Sequence, residues 1–333
     1  MKFEKPLSKI TFLNEPKLSE HEVDQKFNAR RINLIPHVKD FISNHPKFKN
    51  KEVKVTFAEK GVSSLISIME VSGEKTILKI NLSLSHALGE AKFLKVWEEA
   101  GVKVPHVIEE GMISEHAYTL MEYVDAKILN DVYTKGEMIR KEIYIELGKI
   151  LRVMHEPEAQ GYGRIVDGKV QYAAFEEWLQ GEDVQKQIRY VQENKLLGDE
   201  HGSISFALEV LKEHANKENK SSYCHDDFGA ANIFATNPLT VFDPNPRFNN
   251  GYIDLGRSMI IAIANNGGKV EIGEQFIKGY FDGKPFNRRA LQAAMMLNIY
   301  MKFPYQHKTK SFNRIKNLQE YLIRTKHLLM EEI

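Results

Sequence analysis

The stretch Tyr223-Cys224-His225-Asp226-Asp227-Phe228-Gly229-Ala230-Ala231-Asn232-Ile233-Phe234, followed by Thr240-Val241-Phe242-Asp243, carries the densest polar chemistry in the chain. Asp227 and Asn232 stand five residues apart across a loop of small residues, Phe228-Gly229-Ala230-Ala231, that can fold tightly. Asp243 closes the next extended segment, so a short hairpin would bring all three together. Oxygen ligands of this kind suit Mg²⁺, which takes a few hard oxygens together with phosphate and water. A carboxylate left off the metal can accept a hydroxyl proton. Both are what moving a phosphoryl group onto an alcohol requires. Asp and Asn also make ordinary turns, and a lone D-x4-N carries little weight. The upstream His225, the flanking extended segments and the third carboxylate change that weighting.

Working outward, residues 19–45 read as helical, with Val23, Phe27, Ile32, Ile35, Val38, Phe41 and Ile42 at helical spacing and Pro36 dividing two helices. From Lys51 the period becomes two. Val53, Val55 and Phe57 alternate with polar residues, Leu65 to Val71 form a second strand, and Ser72-Gly73-Glu74 turns into a third at Thr76–Ile80. A helix follows at 84–99, then strands near Val104–Glu109 and Tyr118–Tyr123. Beyond Ala126 the pattern is helical over 138–155, 173–194, 203–215, 254–264, 270–281, 288–302 and 312–329, with only 222–244 extended. The expected fold class is therefore α+β, a small antiparallel-sheet unit followed by a larger helical one. The boundaries fall at 1–121, a connecting segment 122–126, and 127–333.

Composition narrows the function classes. Across 333 residues, 46 Lys and Arg oppose 45 Asp and Glu, a net charge of +1 that argues against a strongly basic nucleic-acid binder. The single cysteine, Cys224, excludes an intrachain disulfide framework and a multi-cysteine zinc cluster, and it points to a reducing compartment. With no signal-like apolar core at Met1–Glu15 and no apolar run of membrane-spanning length, the expectation is a soluble, cytoplasmic protein without membrane partners.

Two further residues ask for a partner. Lys79, in Thr76-Ile77-Leu78-Lys79-Ile80, is a cation within an apolar strand, and its head needs a counter-charge. Glu90 falls inside the apolar stripe Leu84, Ala87, Leu88, Ala91, Leu94, Trp97 of the next helix. The two are expected to pair. The segment Glu59–Leu65 between the first strands has one glycine, Gly61, and two hydroxyls, Ser63 and Ser64, which together with backbone N–H groups can bind phosphate.

From about residue 53 to 300, these anchors fall in the order found in the aminoglycoside phosphotransferase and choline kinase-like superfamily, and the chain resembles its antibiotic-kinase type. The resemblance implies a bilobal protein-kinase-like fold, ATP or GTP as donor, and Mg²⁺. It makes Asp227 the catalytic base, Asn232 and Asp243 the metal ligands, and His225 and Asp254 (in Tyr252-Ile253-Asp254-Leu255-Gly256) the support of the catalytic loop. Lys79, braced by Glu90, would hold the nucleotide phosphates beneath Gly61, Ser63 and Ser64, while Glu122 and Val124 would meet adenine. Leu147-Gly148 to Met154-His155 and Gly161-Tyr162-Gly163-Arg164 are also similar to family segments.

Two departures stand out. Asp226 replaces a glycine usual in aminoglycoside kinases, and Asp243-Pro244-Asn245-Pro246 lacks the commoner aromatic after the metal-binding Asp. Residues 156–213 hold 12 acidic and 6 basic side chains, which suggests a cationic small-molecule acceptor held by Glu176, Glu177, Glu182 and Asp183, with Asp226. The alternatives are a kinase of a metabolic acceptor (choline, an amino acid or a sugar-amine) and a nucleotide-binding pseudokinase. H-R-D and A-P-E are missing, which weighs against a protein kinase. The chain is expected to be a monomer or homodimer. His21, His155 and His201 are read as surface or capping residues, Lys302, Lys308, Lys310, Arg314 and Lys316 as a solvated face, and Cys224 as a small buried hydrophobe.

Overall fold

The computed structural model describes residues 9–20, 22–59, 63–82, 84–133, 139–166, 169–197, 202–218 and 220–311, with 313, 316, 317, 319, 320 and 323 of the C-terminal stretch. Gly61, His21, His201, Arg314 and most of the expected helix 312–329 lie outside the described residues. The chain divides into two compact units, Met1–Lys95 with Pro105–Asp125, and Val96–Val104 with Ala126–Ile333.

The first unit is built on a six-stranded sheet ordered β1-β2-β3-β4-β6-β5. Its strands are β1 (Lys9–Phe12), β2 (Glu52–Phe57), β3 (Ser64–Val71), β4 (Glu74–Asn81), β5 (Val107–Ile113) and β6 (His116–Glu122). The edge strand β1, which the sequence reading did not anticipate, pairs parallel to β2, and the remaining pairs are antiparallel. The period-two pattern of β2 sends Val53, Val55 and Phe57 inward, where they pack with Leu65, Met69, Leu78 and Ile80. Ser72 and Gly73 both take positive φ, 52° and 88°, which is the backbone a two-residue hairpin turn needs. Helix α1 (Glu22–Ile32) ends before α2 (Ile35–Asn44), which opens with Pro36 in its first turn, where a missing N–H costs nothing. Val38, Phe41 and Ile42 of α2 join the same core. Helix α3 (Leu84–Glu99) follows β4.

The second unit contains α4 (Leu129–Val132), α5 (Lys141–Met154), α6 (Phe175–Gln180), α7 (Glu182–Glu193), α8 (Gly202–Lys217), α9 (Gly251–Asn265), α10 (Glu271–Phe281) and α11 (Arg288–Lys308). A five-stranded sheet ordered β7-β10-β13-β8-β9 accompanies them, made of β7 (Glu158–Ala159), β8 (Tyr162–Val166), β9 (Lys169–Tyr172), β10 (Ser221–Cys224) and β13 (Arg247–Asn249). The sequence reading placed only 222–244 in extended structure, so β7, β8, β9 and β13 correct it. These strands are two to five residues long, too short for alternation to stand out. The helix expected over 173–194 is two helices separated at Gly181, whose extended backbone (ψ 153°) ends α6 and starts α7.

Helices α5 and α10 cross in backbone contact. A Cβ on Gly148 would lie 2.4 Å from the Phe276 carbonyl oxygen, and one on Gly279 would lie 2.0 Å from that of Ile145, so both positions need glycine. Helix α11 is buried along most of its length, with Leu291, Ala293, Ala294, Met296, Leu297, Ile299, Tyr300 and Phe303 all inside. No helix among the described residues is long and apolar enough to cross a membrane.

Candidate active site

Strand β10 delivers the chain into His225-Asp226-Asp227, and Asp254, in the first turn of α9, holds that loop by its backbone. The His225 N–H donates to Asp254 Oδ2 at 2.7 Å and the Asp226 N–H to Oδ1 at 2.8 Å. The third donor is His155 Nε2, 3.1 Å from Oδ2. Because a carboxylate only accepts, Nε2 carries the proton, and His155 Nδ1 faces the Tyr280 hydroxyl at 2.8 Å. Burial pushes the Asp254 carboxyl up, but the hydrogen bond and charge of His155, with His225, outweigh it and leave the group below its ordinary value. His155 thus caps α5 with its backbone while its ring is buried, a role beyond the surface or capping one expected.

The His225 ring is fully buried. It stacks on Trp97 (centroids 5.8 Å, planes 4° apart), and Nε2 donates to the Phe242 carbonyl at 3.0 Å.

Asp226 adopts a left-handed backbone, φ 57°, which a glycine would take without strain. Its side chain goes to different partners from those the sequence suggested. Oδ2 meets Arg247 Nε and accepts from Asn245 Nδ2, both at 2.7 Å, and Oδ1 meets an Arg257 guanidinium nitrogen at 3.0 Å. Asn245 passes the chain on by accepting from Arg164 at 2.8 Å, and its own N–H donates to the His225 carbonyl at 2.9 Å. The Asp243-Pro244-Asn245-Pro246 segment is therefore docked onto the His225–Asp227 loop. A carboxylate held by two guanidinium groups and an amide braces the loop, and these are the partners the structure gives Asp226.

Asp227 is the exposed member of the loop, its side chain 48% accessible. Its Oδ1 lies 3.2 Å from Lys302 Nζ, while Asn232 Nδ2 donates to Oδ2 at 3.2 Å and to the Asp227 carbonyl at 2.9 Å. Burial raises the Asp227 carboxyl, but Lys302, Arg257 and His225 bring it below the ordinary value. Burial and the neighbouring Arg257 lower the Lys302 ammonium, with Asp227 and Asp226 partly restoring it.

Strands β11 (Ile233–Phe234) and β12 (Thr240–Val241) form the expected hairpin. The Phe242 N–H donates to the Asn232 carbonyl at 3.0 Å, which sets Asp243 beside Asn232 along the backbone. Since the Asn232 amide nitrogen serves Asp227, its oxygen is the end suited to a cation. An amide oxygen and a carboxylate are ligand types that suit a hard divalent ion such as Mg²⁺.

In the first unit, Lys79 Nζ and Glu90 Oε1 are 2.6 Å apart with side chains 4% and 1% accessible, so the pair predicted from their apolar surroundings is present and buried. Ser64 is buried at the start of β3, Ser63 is exposed and accepts the Leu82 N–H at its carbonyl (3.1 Å), Glu122 is exposed at the end of β6, and Val124 is half-buried.

The acidic residues expected to hold an acceptor have local partners. Glu176 pairs with Lys212, Glu182 with Arg189 at 2.6 and 2.8 Å, and Glu177 accepts the Ala173 and Ala174 N–H groups at 2.9 and 3.2 Å, capping α6. Only Asp183 among them approaches the loop's neighbours, 3.9 Å from Arg247.

The residues the sequence reading missed are basic: Arg164, Arg247, Arg257 and Lys302. Arg257 follows Asp254 by three on a helix and could have been found by that spacing. Lys302 was placed on a solvated face and is instead bonded to Asp227.

The model of a family described as APH, phosphotransferase enzyme family, matches residues 54–264 of this chain. No curated protein matches it. Among solved structures, a thermostable mutant of aminoglycoside phosphotransferase APH(4)-Ia is 16% identical, with a TM-score of 0.58 over 87% of this chain and 98% of that one. The spectinomycin phosphotransferase APH(9)-Ia, in complex with ADP and spectinomycin, is 12% identical, with a TM-score of 0.52 over 85% and 95%. A candidate fructosamine-3-kinase from Thermobifida fusca is 15% identical, with a TM-score of 0.54 over 83% and 94%. At these identities the likeness is one of fold, the kinase-like fold of the aminoglycoside phosphotransferases.

Proposed function

From the premise that this chain belongs to the APH phosphotransferase enzyme family and is a phosphotransferase, we propose that it transfers the γ-phosphoryl group of ATP or GTP to a hydroxyl of an amine-bearing small molecule. The observation that carries the reading is Asp227, a half-exposed carboxylate on a loop whose preceding two backbone N–H groups are fixed by buried Asp254. Asp227 would orient the acceptor hydroxyl and take its proton as the oxygen–phosphorus bond forms and the bond from the γ-phosphorus to the nucleoside diphosphate breaks. Asn232 and Asp243 would hold Mg²⁺, which when bound neutralises phosphate charge. Lys79, fixed by its buried ion pair with Glu90, would bind the donor's phosphates. The structures of other family members with ADP and spectinomycin, or with AMP-PNP and hygromycin B, support a nucleotide donor and a small-molecule acceptor.

The test is a screen of phosphoryl transfer from ATP and GTP to aminoglycosides, amino alcohols, amino sugars and hydroxyl-bearing amino acids. Asp227→Ala should abolish transfer while leaving nucleotide binding largely intact. Full activity in that variant refutes the mechanism.

A further inference from the structure

We propose that Lys302 is the positioning residue for Asp227, its ammonium holding Oδ1 while the Asn232 amide holds Oδ2, so that the carboxylate keeps one orientation toward the acceptor hydroxyl. The inference rests on the reading of Asp227 as the base.

The argument begins with an oddity of α11. The helix is apolar on most sides, and Lys302 stands two residues after the buried Tyr300 and directly before the buried Phe303. A lysine here loses rotamer freedom and part of the hydration of its head. The lysine side chain is 20% accessible against 48% for Asp227, so it is the more buried partner and backs the carboxylate from the protein side. A surface ion pair has both ends in water; this one has its cation set into a core helix.

The other charged and titratable groups near Asp227 are engaged elsewhere. Arg257 bonds Asp226 Oδ1 at 3.0 Å, and the His225 ring donates to the Phe242 carbonyl. Among the described residues, Lys302 is the cation hydrogen-bonded to Asp227. With one donor on each oxygen, both carboxylate oxygens retain capacity for a hydroxyl, since each can accept more than one hydrogen bond. Rotation about the Asp227 side chain would break both contacts together. A helix fixed by its packing is a more exact mount for such a group than a loop.

The experiment compares K302M, K302R, D227N and the K302M/D227N double variant, with Mg·ATP and Mg·GTP as donors. Water is the simplest hydroxyl probe, alongside whichever acceptor the screen yields. K302M is expected to lower kcat by about 10- to 100-fold, the scale of a misplaced catalytic group, with KM for the nucleotide and melting temperature nearly unchanged. K302R, which keeps the charge and the donor, is expected to recover most of the loss. The double variant should be no slower than D227N, because Lys302 acts through Asp227.

A K302M enzyme within about twofold of wild-type kcat, when D227N is inactive, overturns the Lys302 inference and leaves the reading of Asp227 standing. A double variant clearly slower than D227N overturns it as well, since Lys302 would then act on its own. An active D227N overturns both, as does a wild-type chain that phosphorylates no acceptor, water included.

Discussion

Replacing Asp254 by asparagine tests the brace on which the whole site depends. The carboxylate is 1% accessible and accepts three hydrogen bonds, from the His225 N–H at 2.7 Å, the Asp226 N–H at 2.8 Å and His155 Nε2 at 3.1 Å. Hydrogen bonds to a charged group contribute about 1.5–3 kcal/mol each, and no water reaches this one to replace a lost partner. Asparagine keeps the shape and one acceptor oxygen but turns an NH₂ toward at least one N–H donor. One or two bonds are lost, so Asp254→Asn should destabilise the protein by about 2–4 kcal/mol. The assay is urea unfolding of both proteins, read together with hydrogen exchange of the His225 and Asp226 amides, which should lose protection in the variant. The pH dependence has a defined sign. Asp254 sits below its ordinary 3.8 in the folded chain, so its contribution is complete above that value and is lost as pH falls through the folded value. The variant should lack this acid-side slope. A destabilisation under about 1 kcal/mol with unchanged amide protection would refute the reasoning.

The remaining expectations are these. Gly279→Ala drives a methyl group against the Ile145 carbonyl of α5 and should cost about 2–3 kcal/mol, seen as a fall in Tm by calorimetry. Lys79→Met strands the buried Glu90 carboxylate and should cost about 3–5 kcal/mol in urea unfolding, with Glu90→Gln in the same chain restoring part of it. Burial pushes Tyr118 and Tyr144 up to about 12, so an ultraviolet phenolate titration of the folded protein should show both ionising late. Their stabilising contribution is complete below the ordinary 10.0 and is lost as pH rises from there through the folded value. Asn232→Ala and Asp243→Ala should each weaken Mg²⁺-dependent nucleotide binding by about tenfold, measured by calorimetric titration with and without EDTA. Nucleotide affinity indifferent to Mg²⁺ removal in the wild-type chain would count against the metal reading.

The features legible in the sequence were the ones whose partners are close along the chain or whose environment is set by a local period. Alternation in β2 and the positive-φ pair Ser72-Gly73 specify the first hairpins, and Pro36 divides the early helices. Lys79 and Glu90 each sit in an apolar pattern that leaves a charge without water, so their pairing could be argued before any coordinates. Asn232 and Asp243 flank one short hairpin and Asp227 stands just before it, and that closeness grouped them as a candidate site.

A charge count does not place side chains: in the acidic stretch 156–213, Glu176, Glu177 and Glu182 have local partners in Lys212, a helix start and Arg189, which only the coordinates reveal.

Only the tertiary structure decided which distant elements converge on the loop. His155 reaches Asp254 across 99 residues, and Lys302 reaches Asp227 across 75. Arg247 and Arg257 arrive at Asp226 from β13 and α9. The physical reason is that a lysine's local pattern is the same whether its helix presents it to water or to a carboxylate. The packing of α11 against its neighbours settles which, and that packing is a property of the whole core.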